Sequence, residues 1–339
     1  MAKTLSILWG PFGDRADELA EAIGAERVSI TLLYGPRYFA PIRYLVLFFR
    51  TLVILFQKQP DVVYAQNPPV FCPLTCLLYC RFTGARLIVD HHSIWRVKTL
   101  GKGALSKAVG AMEGIVSRAA EGNTAPHRFW AEQLSSMGAR NVLVVHDFVG
   151  PNPYPRDEAL RRRFASEPLI AISSHGGHPL ERMESEAEGV GMVGSVALLI
   201  TGPRAKLEGR LPSSALPKNV RYLGFLERET YERLKASADF AVNVTDEPYT
   251  LSHVLLEFAA SSIPIISSRQ AVLEDFFGDS LLYTDSSAPA EIAAKVRSFQ
   301  DASVRLDYRN RVERVYGGLL SVREEELTRL RSLVGRGPG

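Results

Sequence analysis

Cysteine is scarce in this 339-residue chain, which has three, Cys72, Cys76 and Cys80. Four-residue spacing puts them on one helical face, where disulfide geometry is poor and a tetrahedral metal site lacks its fourth ligand. They are expected as small packing residues in a reducing compartment. Acids are locally scarce. From Arg27 to Arg118 there are twelve basic residues and three acids, Asp61, Asp90 and Glu113, behind an overall charge of only +3. Uninterrupted apolar runs of spanning length are missing as well. Arg43 and Arg50 bound Tyr44–Phe49, and Asn67, Pro68 and Pro69 separate it and Thr51–Phe56 from Pro69–Tyr79, which argues against a true membrane span. Met-Ala-Lys leads directly into the strand-like Leu5–Trp9, so no signal peptide is expected. Walker A, Gly-x-Ser-x-Gly and Asp-x-Asp spellings are absent, which removes the usual nucleotide-loop, serine-nucleophile and metal-diphosphate signatures.

The same basic stretch is rich in apolar and aromatic side chains. That combination suits docking on an anionic membrane surface, or buried helices with a solvated basic rim. The aromatics sit in apolar runs and not on a stacking platform, so no nucleic acid partner is expected.

Strand-like and helix-like runs alternate along the whole length, which predicts an α/β fold with parallel sheets and, at this length, about two domains. The run from Asp147 to Arg156 has too much proline and glycine for regular structure and is the expected interdomain linker. The boundaries that follow are 1–150 for a first Rossmann-like domain and 151–315 for a second, with 316–339 a helix packing back on the first. The two halves are expected to face each other across a central cleft.

Open α/β sheets bind ligands beyond the carboxyl ends of their strands. Asp90-His91-His92 ends one such strand. Histidine suits proton transfer near neutral pH, and a neighbouring Asp can orient it. No further His or carboxylate follows at ligand spacing, so a metal is not expected. Gly10-Pro-Phe-Gly13 can bring a backbone close to a phosphate or sugar but is not a dinucleotide fingerprint. At Ser173–His178, with Ser174 at its start, backbone N–H groups can wrap a phosphate. Arg204 either pairs with a diphosphate or lies on the surface, and Gly224-Phe225-Leu226 offers an apolar edge to a nucleobase.

The run 243–267 is the most informative. A helix is predicted to open near Thr250–Leu251, with Glu257 about two turns in. Free N–H groups at its start, with the hydroxyls of Thr250 and Ser252, suit a diphosphate, and Glu257 suits a ribose diol. An ordinary, well-capped helix reads the same way.

Pro60-Asp-Val-Val-Tyr-Ala-Gln-Asn-Pro-Pro69, followed by Val89-Asp-His-His-Ser93, resembles the N-terminal domain of GT-B glycosyltransferases. The resemblance is closest to the chitobiosyl-diphosphodolichol β-mannosyltransferase family. In the second half, Leu199-Ile-Thr-Gly-Pro203, Val220-Arg-Tyr-Leu-Gly-Phe225 and Glu257 with Ile263-Pro-Ile-Ile266 resemble the broader family-four group. The resemblance implies a hexose transferred from a nucleotide sugar, with GDP-mannose first in line, to a lipid-linked or membrane-proximal glycan. Residue by residue, His92 falls on the family's histidine and His91 on its tryptophan. Gly13 sits in the glycine loop, Glu257 matches the ribose carboxylate, and Thr250, Leu251 and Ser252 match the diphosphate-facing turn. The implied catalytic pair is His92 and Asp90. With the residues read from the strand-end loops, the expected donor set is Gly13, Ser174, Arg204, Phe225, Leu226, Tyr249, Thr250, Leu251, Ser252 and Glu257, with no metal and no cofactor beyond the donor itself.

One departure matters. Retaining members carry a second glutamate where this chain has Tyr249, and Glu247 is two residues off, which favours an inverting step. The family's membrane anchor is also missing, so attachment is expected to be peripheral, on the cytoplasmic face of a membrane. A retaining transferase using a UDP-sugar, a nucleotide-sugar epimerase and a non-catalytic nucleotide-binding subunit share the fold and stay open.

Overall fold

The computed structural model describes residues 2–10, 13–31, 40–92, 103–246 and 251–335. Its contacts divide the chain into two compact units, Met1–Asp147 with Val322–Gly339, and Phe148–Ser321.

The first unit holds six parallel strands, β1 (Thr4–Leu8), β2 (Glu26–Ser29), β3 (Val62–Asn67), β4 (Arg86–His91), β5 (Gly122–Ala125) and β6 (Val142–Val144), in the order β2-β1-β3-β4-β5-β6. Its helices are α1 (Asp14–Ala22), α2 (Ala40–Lys58), α3 (Phe71–Thr83), α4 (Ala104–Ala119) and α5 (Arg128–Ser136). Parallel pairing requires crossovers, and the helices supply them. Strand periodicity sends Val63 and Ala65 to one face of the sheet and Val62 and Tyr64 to the other. On the first face pack Leu47 and Leu55 of α2, Cys72 and Cys76 of α3, and Val116 of α4. All three cysteines are buried and free, as packing residues should be. Gly84 ends α3 at φ +76°, a left-handed conformation that glycine adopts without a Cβ penalty.

The second unit repeats the design with β7 (Leu169–Ser174), β8 (Val196–Thr201), β9 (Val220–Gly224), β10 (Phe240–Asn243), β11 (Ile265–Ser268) and β12 (Leu282–Thr284), in the order β12-β11-β10-β7-β8-β9. Its helices are α6 (Glu158–Phe164), α7 (Met183–Gly191), α8 (Arg204–Arg210), α9 (Arg228–Ser237), α10 (His253–Ala260), α11 (Ala271–Phe277) and α12 (Pro289–Ser298), and α13 follows at Ala302–Gly335. Strand order reverses between β7 and β10, so the crevice above their carboxyl ends is the natural ligand position. Both units are thus Rossmann-like.

Two helices begin later than the sequence predicts. The sequence over Leu180–Glu188 reads as a helix, and that helix starts only at Met183. Glu181 instead pairs backbone with Thr245, and Arg182 donates its N–H to the Val244 carbonyl, which holds this segment extended. The helix expected near Thr250 starts at His253, with Ser252 at its N-cap. The linker run is not loose: Asn152 donates from its backbone to the Ala260 carbonyl, and from Nδ2 to the Glu232 carbonyl and Ser261 Oγ. Gly189-Val-Gly-Met-Val-Gly194 has a dinucleotide spelling but closes a helix and enters a strand, the reverse of the required order. Its glycines serve packing. A Cβ on Gly189 would lie 2.7 Å from the Pro289 carbonyl oxygen, and one on Gly191 would lie 2.5 Å from Pro217.

The part of α13 beyond Val322 belongs to the first unit and covers its second face. Leu327, Leu330 and Leu333 pack with Leu19, Val62, Tyr64 and Ile88, and the Arg86 guanidinium caps the helix end by donating to the Leu333 and Val334 carbonyls. Leu330 is fully buried there. Leu330→Ala should therefore destabilise the first unit by about 2–5 kcal/mol in urea unfolding, the range for deleting a buried leucine side chain. A loss well under about 1 kcal/mol would mean the helix end contributes little packing.

Candidate functional site

The reversal point of the second sheet opens into a cavity of about 310 Å³. Ser174 stands at the end of β7, Thr201 and Gly202 at the end of β8, Phe225 and Leu226 after β9, and Asn243 at the end of β10. Ser252 and Glu257 reach the same cavity from α10. A chain of hydroxyls runs down one wall: Ser174 Oγ lies 2.8 Å from Thr201 Oγ1 and 2.9 Å from Tyr231 Oη, which donates to Glu257 Oε2 at 2.7 Å. The buried Lys235 ammonium lies 3.4 Å from the same Oε2 and 4.5 Å from the Tyr231 ring centroid. Burial first, then the Glu257 charge, pushes the Tyr231 hydroxyl far above its ordinary range, so it stays protonated as a donor. One oxygen of Glu257 is thereby held, and the other, 3.9 Å from His253 Nε2, can accept from a ligand diol. Asn243 Oδ1 is buried and has no hydrogen-bond partner among the described residues, which leaves an acceptor at the cavity wall. Gly202, at φ +134°, is needed because a Cβ there would lie 2.0 Å from the His175 carbonyl oxygen.

The cavity thus gathers Ser174, Phe225, Leu226, Ser252 and Glu257 of the donor set. Phe225 is 80% exposed, so its ring is accessible to a ligand in the cavity. Of the second unit's donor candidates, two lie off the lining. Arg204 Nε pairs with Glu208 at 2.9 Å on its own helix, and Leu251 is buried in the core beside Leu255. Tyr249 and Thr250, with Glu247, lie outside the described residues.

The glycine-rich turn behaves differently from a vacant phosphate cradle. The amides of Gly176, Gly177 and His178 donate to the Glu181 carboxylate at 3.0, 2.9 and 3.1 Å. Beneath it the buried His175 imidazole lies 2.9 Å from Glu186 through Nε2 and 3.5 Å from Glu181 through Nδ1. Ser173 Oγ donates to Glu186 at 2.5 Å, and the Val244 amide donates to the other Glu186 oxygen. Burial opposes protonation of His175, but the two carboxylates outweigh it and raise its pKa to about 9. Sequence reasoning missed this network because Glu181 and Glu186 fall in a stretch that reads as helix.

In the first unit, Gly13 is the N-cap of α1, at φ −126° and with space around its Cα. Asp90 and His92 flank the end of β4. Asp90 is buried, and its hydrogen bonds come from Arg15, at 2.9 Å from Nη2, and from Thr124 Oγ1 at 2.7 Å. Burial alone would raise its pKa, but Arg15 and then the nearby His92 charge hold it below the ordinary value. Arg15 also reaches Asp147 at 2.8 Å. His91 is buried between Asn67 Nδ2, 3.1 Å from Nδ1, and Asn123 Oδ1, 3.0 Å from Nε2. Burial pushes it down to about 4, so it is a neutral structural imidazole. His92 is exposed, with its amide tied to the Asn67 carbonyl. No group of three metal-ligating side chains occurs among the described residues.

Two family models match the chain. One described as a glycosyl transferase 4-like domain covers residues 7–147, and one described as glycosyl transferase-like covers 180–315. No curated protein matches the sequence. Solved structures match over nearly the full length. Anabaena HepE in complex with UDP-glucose has a TM-score of 0.75 at 12% identity, covering 98% of this chain and 100% of its own. Sucrose-phosphate synthase from Thermosynechococcus elongatus has 0.80 at 13%, covering 98% of both. A glycosyltransferase from Rickettsia africae has 0.70 at 10%, covering 99% of both. At such identities these likenesses establish the fold.

The raised pKa of His175 makes the second unit sensitive to base. Its contribution to stability is complete below the ordinary value of 6.5 and is lost as pH rises through about 9. Urea unfolding of the wild type should therefore weaken across that window, whereas His175→Gln should show a flatter profile from a lower starting stability. A wild-type profile that stays flat there, or an equal fall in the variant, would remove His175 as the titrating group.

Proposed function

The chain is a GT-B glycosyltransferase of the glycosyl transferase 4-like family, and from that premise we propose that it moves a hexose from a nucleotide-sugar donor, held in the second unit's cavity, to a lipid-linked or membrane-proximal glycan. The observation that carries the donor reading is Glu257, a carboxylate on the cavity wall with one oxygen fixed by Tyr231 and Lys235 and the other available to a ribose diol. Phe225 and Leu226 offer the nucleobase an apolar edge, and Asn243 Oδ1 offers a further acceptor. Amides at the start of α10, behind Ser252, suit the charge that develops on the leaving diphosphate.

In the proposed step the acceptor hydroxyl oxygen bonds to the anomeric carbon, the bond to the diphosphate oxygen breaks, and the nucleoside diphosphate leaves with that electron pair. In an inverting reaction a base takes the hydroxyl proton. His92 is the proposed base, since it is exposed and close enough to sense Asp90, whereas His91 is buried and neutral. GDP-mannose is the first donor to test on the sequence resemblance. The bound UDP-glucose of HepE favours a UDP-hexose as the second reading. The proposed setting is the cytoplasmic face of a membrane.

A thermal-shift panel of GDP, UDP, ADP and dTDP, followed by transfer assays with the matching sugars, tests the donor. One diphosphate should stabilise the protein. Glu257→Ala should weaken that binding by roughly 1.5–3 kcal/mol, the range for a hydrogen bond to a charged group. Unchanged affinity in a folded variant would take Glu257 out of the donor site. Epimerised donor without an acceptor, or binding without transfer, would replace the transferase reading.

For the base, His92→Ala should lower turnover by about 10²–10⁴ with donor binding near normal, and His91→Phe should affect stability far more than chemistry. Near wild-type transfer by His92→Ala, together with a product that keeps the donor's anomeric configuration, would establish the retaining alternative.

A further inference from the structure

Helix α2 carries an apolar stripe on the wrong side for a core helix. Leu47, Thr51 and Leu55 face the sheet, and Trp9 Nε1 donates to Thr51 Oγ1 at 2.8 Å, which fixes that side inward. The opposite side presents Ile42, Leu45, Val46, Phe49, Val53 and Phe56, each 39–61% exposed. At about 100° per residue these six positions fall within an arc of about 100°, one continuous strip along a helix roughly 28 Å long. The neighbouring α3 extends the strip: Phe56 meets Tyr79 edge-on at 5.2 Å, and beside Tyr79 stand Leu78 and Phe82, the latter 77% exposed. A folded monomer seldom leaves so large an apolar surface in water without a use for it.

The charge around the strip identifies what covers it. Neither α2 nor α3 contains an acidic residue. Arg43 and Arg50 lie on one flank of the strip, Arg81 lies beside Phe82, and Lys107 follows the exposed Leu105 at the start of α4. Among the described residues none of these four cations is in an ion pair, whereas Lys58 reaches back to Glu26 and Arg86 to Glu121. Apolar and aromatic side chains at the centre with unneutralised cations at the rim match an anionic phospholipid surface, which takes the former below its headgroups and the latter among its phosphates.

By length and hydropathy alone α2 is able to cross a membrane. Crossing would require it to leave the sheet core that holds Leu47 and Leu55. We propose that α2, together with the outer face of α3, lies flat in the headgroup region of an anionic bilayer and is the surface by which the enzyme docks. The proposal rests on the reading of a membrane-proximal acceptor, which it deepens by naming the contact.

Sedimentation of the full-length chain with phosphatidylserine–phosphatidylcholine vesicles, and with phosphatidylcholine alone, tests it. The wild type should bind the anionic vesicles, bind neutral ones several-fold less, and lose affinity as salt screens the charges. Phe49→Glu with Phe56→Glu should lower anionic-vesicle binding by about tenfold or more. Arg50→Glu with Arg81→Glu should abolish the preference for anionic lipid. These side chains are exposed or make few contacts, so circular dichroism, melting and nucleotide binding should match wild type in both variants, as should transfer to a soluble acceptor. Undiminished vesicle binding by the phenylalanine variant, equal recovery with both lipids, or resistance to alkaline extraction as for a spanning helix would each overturn the proposal. So would a wild-type dimer that binds no vesicles and that the phenylalanine variant makes monomeric, because the strip would then belong to a second copy. Loss of transfer with vesicle binding intact would count against the functional reading and leave the docking surface standing.

Discussion

The buried Arg15 guanidinium is the interaction on which the carboxyl edge of the first sheet depends. It reaches Asp90 on β4, Asp147 three residues beyond β6, and the Val145 carbonyl, so one side chain ties α1 to two strand ends. Both carboxylates are nearly inaccessible, and removing the cation would leave them uncompensated, a loss of about 3–5 kcal/mol when a buried pair is broken. Thr124 on β5 takes the remaining direction of Asp90. His92 therefore follows a strand whose end has little freedom. Asp90 contributes to that placement and to the charge near the histidine.

The second sheet solves the same problem with a different cation. His175, beyond β7, sits between Glu186 and Glu181, and those carboxylates in turn hold the Val244 amide and three amides of the glycine-rich turn. In both units a buried basic side chain between two carboxylates braces the carboxyl edge of the sheet. The difference is chemical. A guanidinium stays charged at any pH a protein survives, whereas an imidazolium with a pKa of about 9 does not. The edge that opens into the second unit's cavity is therefore the one open to loosening by base. It is also the edge where Glu181 fills the anion cradle, so a diphosphate entering that turn must displace a carboxylate already present.

Fold class and element order were legible in the sequence because both rest on periodicity. The continuous apolar runs at Val62–Ala65 and Leu198–Ile200 read as buried parallel strands, and the helices between them have the length that crossovers require. That Glu257, Phe225 and Ser174 line one cavity was legible because each lies in or just beyond a loop at a strand's carboxyl end, where the fold class itself directs attention. Tyr231 and Lys235 were not, since they come from the middle of α9 and meet Glu257 only after folding. Arg15 was hidden for the same reason: its partners are 75 and 132 residues away. Arg204 and Leu251 lie off the cavity lining for local reasons. Their positions fit a ligand loop, but Glu208 lies one helical turn from Arg204, and the core needed an apolar side chain at Leu251.

The chain's charge asymmetry now has a local explanation. In the second unit, cations such as Arg156, Arg161, Arg210, Arg221 and Arg233 each find a carboxylate, and the interleaved acids keep that surface balanced. In the acid-poor stretch, Arg27, Lys58 and Arg86 pair with residues outside it, namely Asp17, Glu26 and Glu121. Those pairs join β2 to α1 and α2, and the start of β4 to the residue before β5. Arg43, Arg50 and Arg81, none of which is in an ion pair among the described residues, are on the helices that also expose Phe49, Phe56 and Phe82. A buried helix with a merely solvated rim accounts for the charges but not for the phenylalanines, since water solvates one and not the other. An interface that accepts both at once accounts for the whole stretch, and a lipid surface has that property.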